Sequence, residues 1–401
     1  MRLRRSLQAV AVFAAIAAAP SAFATPYDTL SSIAGTYNMF LLGNLGTASS
    51  PFGSDAVGSV AVAGNAYITN ASVGSSNSGA SLVVGGNLTQ TGGSTAGNVF
   101  VGGDLTSQWT GYSPNLVVGG NATMSGGNDA GNVFIGGNAN LSGGVTIGGN
   151  LSMTGANTTL NASSNGGSSP QNIYVKPTTT VYDPSYWNTP KTTGAPATPT
   201  TPIDVYGSST DIINASKSLA ALNATTISSS GGTLTITLTQ NGVNVIDLSM
   251  LNGSTINGIN IVTANGVTPT GLILNVAGDN LTFNGGTFNL GSLTNQSVLF
   301  NFSDATNLNL TSLAFEGSLL APLATVNFTS GNIDGTLIAN NYYGNGELHE
   351  VPLNMTLPAY TPTGGGTIVA TPEPGSLALF AGGLMILAVA RRRRMISVGR
   401  S

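Results

Sequence analysis

An eight-residue pattern that returns three times at an interval of 17 residues and once more after 12 constrains this chain more than any other feature. Leu82-Val83-Val84-Gly85-Gly86-Asn87-Leu88-Thr89 comes back as Val99-Phe100-Val101-Gly102-Gly103-Asp104-Leu105-Thr106, then at Leu116–Thr123, Val133–Asn140 and Val145–Ser152. The first glycine of each pair falls at 85, 102, 119, 136 and 148, and Val60–Tyr67 reads as a degenerate earlier copy. A period near 17 is too short for a helical pair or a propeller blade. It suits one coil of a β-solenoid, in which each coil stacks on the last at about 4.8 Å. Equivalent side chains then form columns. Leu82, Val99, Leu116, Val133 and Val145 make one, and Val84, Val101, Val118, Ile135 and Ile147 a second of the same parity, both expected inward. Val83, Phe100, Val117 and Phe134 have the opposite parity, are still apolar, and so require a cover. The diglycine reads as a corner free of any Cβ penalty. Beyond it Asn87, Asp104, Asn121, Asn138 and Asn150 form a polar column, and Thr89, Thr106 and Thr123 another. These polar columns are the candidate ligand-facing ladder.

The repeat lapses after Asn161, where Thr, Pro and Ser dominate, and residues 161–208 are expected to form an extended surface excursion. Residues 209–223 then place Ile212, Ala215, Leu219 and Leu222 at helical spacing, with Ser209 or Thr210 as a cap. This is the one helix the sequence signals between the two ends, and a candidate cover for the Val/Phe column. Strand-like alternation resumes at Thr233–Thr239, Gly271–Val276, Asn280–Phe283 and Val298–Phe302. A second repeat, Phe315–Ala321 against Ile333–Ala339 at a spacing of 18, puts coils of similar length at both ends of the body. The expected organisation is one mainly β domain: solenoid coils over 25–160, the excursion, a helix packed alongside, further coils over 224–358, and a linker over 359–371.

Charge removes whole classes of function. The 401 residues include 11 Lys or Arg and 15 Asp or Glu, 6 % against roughly 25 % in an ordinary soluble chain. Between Thr25 and Ala370 only Lys176, Lys191 and Lys217 stand against fourteen carboxylates, with no Arg. Such a body cannot neutralise nucleic-acid phosphates or clamp a transferring phosphoryl group. The lack of cysteine excludes zinc-thiolate sites, disulfides and cysteine nucleophiles. A hydrophobic content of 41 % still supplies a core.

No cofactor, metal or catalytic site is expected. Each Gly-Gly-Asn returns to a strand rather than to a helix start followed by Lys, so it is no phosphate loop. The regular Asp of a calcium-binding nonapeptide repeat occurs only as Asp104. Glu347-Leu348-His349-Glu350 sets Glu347 and His349 on one strand face and Glu350 on the other, short of the three or four spaced ligands of a zinc site. Asp279, Asp304, Glu316 and Asp334 are scattered, without the carboxylate pair about 5–10 Å apart that glycoside hydrolysis uses. Glu316 and Asp334 are expected as stacked equivalents of adjacent coils.

Both ends read as addresses. Met1–Arg5 is basic, Leu7–Ala19 is apolar and Ala22-Phe23-Ala24 is a small-x-small site, so residues 1–24 read as a signal peptide cleaved after Ala24. At the other end Pro372-Glu373-Pro374 precedes an uncharged, mostly apolar span, 375–390, and then Arg391-Arg392-Arg393-Arg394. As a separate transmembrane helix that span would be roughly 24 Å long, a little under a bilayer core of about 30 Å. The four arginines hold their end in the cytoplasm and leave the body outside. Residues 372–394 resemble the PEP-CTERM sorting signal of Gram-negative bacteria. That resemblance implies processing by an exosortase, a membrane-embedded cysteine transpeptidase, with an inner-membrane intermediate before the cell surface or matrix.

The body carries a resemblance of its own. Tyr37–Asn44, Gly317–Pro322, Gly331–Ala339 and Gly346-Glu347-Leu348-His349 together resemble the choice-of-anchor A domain of bacterial surface proteins, over roughly Tyr27–Leu357. The later segment is also similar to the ice-binding-like adhesin fold, a β-solenoid with a helix alongside. The resemblance implies no catalytic residues. The preferred expectation is a secreted, non-enzymatic surface or matrix adhesin whose Asn and Thr columns meet extracellular polysaccharide or other surface proteins. Association with exopolysaccharide or biofilm is what the PEP-CTERM resemblance implies. A purely structural matrix role is one alternative. Ice binding is another, although Asn140 and Ser152 interrupt the Thr column. A glycan-active enzyme is the remotest.

Overall fold

A computed structural model describes residues 24–74, 80–129, 131–161, 172–175, 180–182, 191–193, 203–227, 232–248 and 255–361. The expected signal helix and the span 375–390 lie outside the described residues, among which no helix is long and apolar enough to cross a membrane. The described chain is mainly β, with long parallel sheets and two short helices, α1 (Pro26–Ala34) and α2 (Ser209–Ala220).

Pairing follows the repeat. Leu82 pairs with Val60 and Val99, Leu116 with Val99 and Val133, and Val118 with Val101 and Ile135. The second half of each repeat does the same, with Thr106 between Thr89 and Thr123. Farther on, Phe315 pairs with Ile333, Leu319 with Leu337 and Ala321 with Ala339, as their sequences align. The diglycine is required here for clearance rather than for an unusual backbone angle. None of the glycines at 85, 86, 102, 103, 119, 120, 136 and 137 has a positive φ. A Cβ on Gly102 would lie 2.4 Å from the carbonyl oxygen of Gly85, and one on Gly119 2.5 Å from that of Gly102. Successive repeats approach too closely there for any side chain.

Several expectations change. Val133 pairs with Leu151 and Ile135 with Met153, whereas Ile147 pairs with Asp129. Val145 and Ile147 therefore leave the two columns assigned to them, because Gly148-Gly149 precedes the strand Leu151–Met153 that continues those columns instead of following it. Residues 161–208 are not wholly an excursion, since Ile173–Val175, Thr180–Tyr182 and Lys191–Thr193 extend the parallel ladders. Among the described residues the body has two α-helices, not one. Thr25 caps α1, its side chain accepting from the Asp28 N–H while the Asp28 carboxylate accepts from the Thr25 N–H, with Pro26 in the first turn. α2 begins after Ser208 and lacks a side-chain cap.

Among the described residues two apolar cores result. The inward columns form one, running from Met39 and Val60 through Leu116 to Leu272 and Leu337. Val83, Phe100, Val117 and Phe134 join a second, with Leu30 and Ile33 of α1, Ile212 and Leu219 of α2, and Val205. The strand segments 60–62, 82–84, 99–101, 116–118 and 133–135 are thus buried on both faces, which is why they are apolar without alternation. The expected cover exists, and α2 packs most closely on α1 and on Pro269–Asn275, Val298–Asn301 and Ser318–Phe328. Asn275 and Asn301, paired in register, hold it there. Asn275 Nδ2 donates to the Leu219 carbonyl and Asn301 Nδ2 to that of Ser216, each at 2.9 Å, and Ser216 Oγ donates to Asn301 Oδ1 at 2.6 Å.

The two halves of the domain meet at a seam. Met39, in the strand Tyr37–Leu41, pairs with Val60 on one side and with Leu337 on the other. Buried Asn38 fastens the seam, its Nδ2 donating to the carbonyls of Gly335 and His349 and its Oδ1 accepting from the Gly58 N–H.

Candidate functional site

A second parallel sheet, which includes Ala66–Thr69, Leu88–Thr91, Leu105–Ser113, Ala122–Asp129 and Ala139–Ser142, meets solvent on its outer face. Along Leu88–Thr91, Leu105–Ser113 and Ala139–Ser142 burial alternates, with Leu88, Leu105, Ala122 and Ala139 turned inward. Thr106, Thr123 and Asn140 are exposed in one register column and Thr89 is half-buried at its head. Two residues on, Thr91, Gln108, Ser125 and Ser142 make a parallel column. Beyond the seam, Thr233, Thr235 and Thr237 are exposed along Gly232–Leu238, and Asn280, Asn307, Thr325 and Asn341 share a column.

The Asn column borders this face, and its oxygens bind backbone. Asn87 Oδ1 accepts from the Asp104 N–H at 2.8 Å, Asp104 Oδ1 from the Asn121 N–H at 2.6 Å, and Asn121 Oδ1 from the Asn138 N–H at 2.8 Å. The second glycine of each pair makes room for them: a Cβ on Gly103 would lie 2.2 Å from Asn87 Oδ1, and one on Gly120 2.3 Å from Asp104 Oδ1. The column also runs backward, through Asn65 and Asn44, and crosses the seam, where Asn341 Oδ1 accepts from the Asn44 N–H at 2.8 Å. Sequence reasoning missed this extension because the intervals widen to 21 and 22 and then jump by 297. The dipeptides Gly43-Asn44 and Gly64-Asn65 were the available signal. Asn150 belongs instead to a second amide column, donating its N–H to Asn132 Oδ1 at 2.9 Å and accepting from Asn172 Nδ2 at 2.8 Å.

A cluster of titratable groups lies on a third set of strands, Leu313–Glu316, Gly331–Asp334 and Glu347–His349. Glu316, Asp334 and His349 are in register. His349 Nδ1 sits 2.6 Å from Asp334 Oδ1 and Nε2 3.4 Å from Glu347 Oε2, while Asn332 Nδ2 donates to Asp334 at 2.7 Å. Among the described residues no group of three or more His, Asp and Glu is arranged to hold a metal ion. A cleft of about 400 Å³ separates the start of α1 from Met355–Tyr360. Its one carboxylate, Asp28, is committed to the α1 cap.

The sorting residues and Ala22 lie outside the described residues, which begin at Ala24. Compared with known families, the chain matches the ice-binding-like adhesive domain over residues 30–114 and 78–350. It belongs to that family. The adhesive domain so defined takes in both halves of the repeat, the seam between them and the whole half-exposed face. A PEP-CTERM protein-sorting motif matches residues 370–394, a segment that includes Pro372, Glu373, Pro374, Arg391, Arg392, Arg393 and Arg394. That motif implies processing by an exosortase and export to the cell surface of a Gram-negative bacterium. No curated protein and no solved structure matches the chain.

Proposed function

We propose that the adhesive domain is a non-enzymatic surface or matrix adhesin, that its repeats are the coils of one β-solenoid, and that the half-exposed face is its contact surface. The observation that carries this reading is the difference between two neighbouring faces of one repeat. One is buried in the core it shares with both helices and the other is left open, lined by Thr, Asn, Gln and Ser. Hydroxyls and amides repeated at about 4.8 Å offer many weak contacts to an extended polymer rather than one deep pocket. In this reading Thr89, Thr106 and Thr123 meet the ligand, while Asn87, Asp104, Asn121 and Asn138 fix the corner beside them. The likeness to choice-of-anchor A domains fits the same role. Residues 1–24 direct export and are removed after Ala24, and 375–390 hold the chain in the inner membrane until exosortase acts near Pro372-Glu373-Pro374.

The test is attachment of cells to a polysaccharide-coated surface. Deleting the gene should lower attachment, and complementation should restore it with the native chain but not with a folded Thr89→Ala/Thr106→Ala/Thr123→Ala variant. Attachment unaffected by deletion sinks the reading; attachment restored by the triple variant assigns the chain a scaffold role. A second reading, ice binding, draws on the three threonines in register. It requires thermal hysteresis in solution.

A further inference from the structure

The corner that follows the open face carries a residue that neither the fold nor the repeat calls for. Thr69, Thr91, Gln108, Ser125 and Ser142 pair in succession, so the residues just after them occupy equivalent positions. Those residues are Asn70, Gly92, Trp109, Gly126 and Gly143, with φ of 49°, 68°, 54°, 68° and 67°. This is the left-handed region, free for glycine and tolerated by asparagine. Trp109 is the exception, a bulky side chain held where its backbone is strained, and such strain tends to persist where function needs it.

The same side chain is 63 % exposed, level with Tyr206 as the most exposed large apolar group among the described residues. It is nonetheless seated. The position of a Cβ on Gly126 would lie 2.5 Å from Trp109 Cε3 and 2.7 Å from Cζ3, so the indole rests on bare glycine backbone of the next repeat. Most of its surface is left to solvent. Exposed Gln108 directly precedes it, and exposed Thr106 and Thr123, paired in register, lie two positions before Gln108 and its partner Ser125 on its own strand and the next. No Lys or Arg occurs anywhere in residues 25–161.

We propose that Trp109 is a stacking platform for a pyranose ring of an uncharged polysaccharide, with Gln108, Thr106 and Thr123 hydrogen-bonding the sugar hydroxyls. This rests on the adhesin reading and names its ligand class. A flat indole complements the C–H face of a sugar ring, and the amide and hydroxyls beside it complement the ring's equatorial groups. The absence of cations disfavours an acidic polymer, which would need its charge answered. A projecting indole interrupts the flat hydroxyl lattice that ice requires. A protein partner would call for a wider apolar patch than one ring set among glycines, Gln and Thr.

The experiment uses the full chain purified in detergent, with hydroxyethylcellulose, dextran and galactomannan as neutral probes and alginate as the acidic one, read by affinity gel electrophoresis. Wild type should be retarded by at least one neutral polymer and less by alginate. Trp109→Gly relieves the left-handed strain, so its Tm should equal or exceed wild type while neutral-polymer affinity falls at least tenfold. Trp109→Asn, which suits the position as Asn70 does, should behave alike and keeps the test valid if the glycine variant is poorly folded. Retention of affinity by either folded variant overturns the proposal, as does indifference of wild type to all three neutral polymers. Cell attachment separates the two levels of inference. Cells with Trp109→Gly that attach normally, where deletion cells do not, defeat only the Trp109 assignment. Deletion cells that attach normally defeat the adhesin reading itself.

Discussion

At the scale of single residues, small groups set the spacing of this fold and leave little freedom to vary. A diglycine corner works because each missing Cβ is replaced by something specific: a carbonyl of the previous repeat at the first glycine, an Asn or Asp oxygen at the second. The same economy marks the start of α1. The Asp28 carboxylate accepts from the Thr25 N–H at 2.7 Å and from the Thr25 hydroxyl at 2.9 Å. The backbone bond first, and then the hydroxyl, hold its pKa below the ordinary aspartate range. A depressed folded-state pKa means that the stabilisation is complete above the unfolded value and is lost as pH falls through the folded one. Asp28 is exposed, so the consequence is local fraying of the first turn rather than loss of the fold. Amide exchange at Asp28 and Thr29 should therefore accelerate below roughly pH 4, and Asp28→Asn should remove that pH dependence. If exchange there ignores pH, the reciprocal cap is not what holds the turn. Cleavage after Ala24, as proposed, would set an α-ammonium beside the same carboxylate and strengthen the contact.

At the scale of elements, the interior of the corner between the open face and the next strand is less well matched than its surface. Gln90 is fully buried and neither end of its amide has a hydrogen-bond partner among the described residues, and Thr95 and Ser107 share that condition. Gln90 and Ser107 pair in register, so the mismatch repeats between adjacent strands. Gln90→Met keeps the shape and removes two unmet polar atoms, and should raise stability by about 1–3 kcal/mol in a denaturant titration. Unchanged or lower stability would mean that the amide is satisfied by water. Elements also show where sequence was readable. The four 17-residue copies from Leu82 to Ile135 gave strands, parity and register directly, because side-chain identity repeats with the backbone. The copy at Val145 misled, because Gly-Gly-Asn occurs before a strand there as well as after one, and the motif alone does not say which. The helix α1 had its signature, Thr25-Pro26 with Asp28 three residues after the cap, but it lies directly after the expected cleavage site and its apolar face is short. Trp109 carried no sequence signal of its strain, since the left-handed angle becomes visible only once its equivalents are aligned by pairing.

At the scale of the whole adhesive domain, the controlling feature is the seam, which no repeat in the sequence announces. The strand Tyr37–Leu41 gains one neighbour from 59–62 and the other from a segment about 300 residues later. In an array whose members touch only their neighbours, local stability is greatest where both neighbours are present and falls toward an end. Among the described residues Lys191–Thr193 and Thr225–Thr226 each pair on one side only. Hydrogen exchange should therefore be slowest at Met39, Phe40, Val60 and Ile338 and quicken outward toward those strands. Asn38 is the place to break the arrangement, because one buried side chain there joins Gly58, Gly335 and His349 through three hydrogen bonds. Its loss strands buried backbone groups as well as the bonds, so Asn38→Ala should cost about 2–4 kcal/mol. The more telling outcome is the form of the transition. Each half keeps its own inward columns, so weakening their join should turn one cooperative unfolding step into two, with 337–344 exchanging together with the later strands and 59–62 with the earlier ones. A single transition that merely moves to lower denaturant would show the inner core, continuous across the seam, to be the stronger bond between the halves.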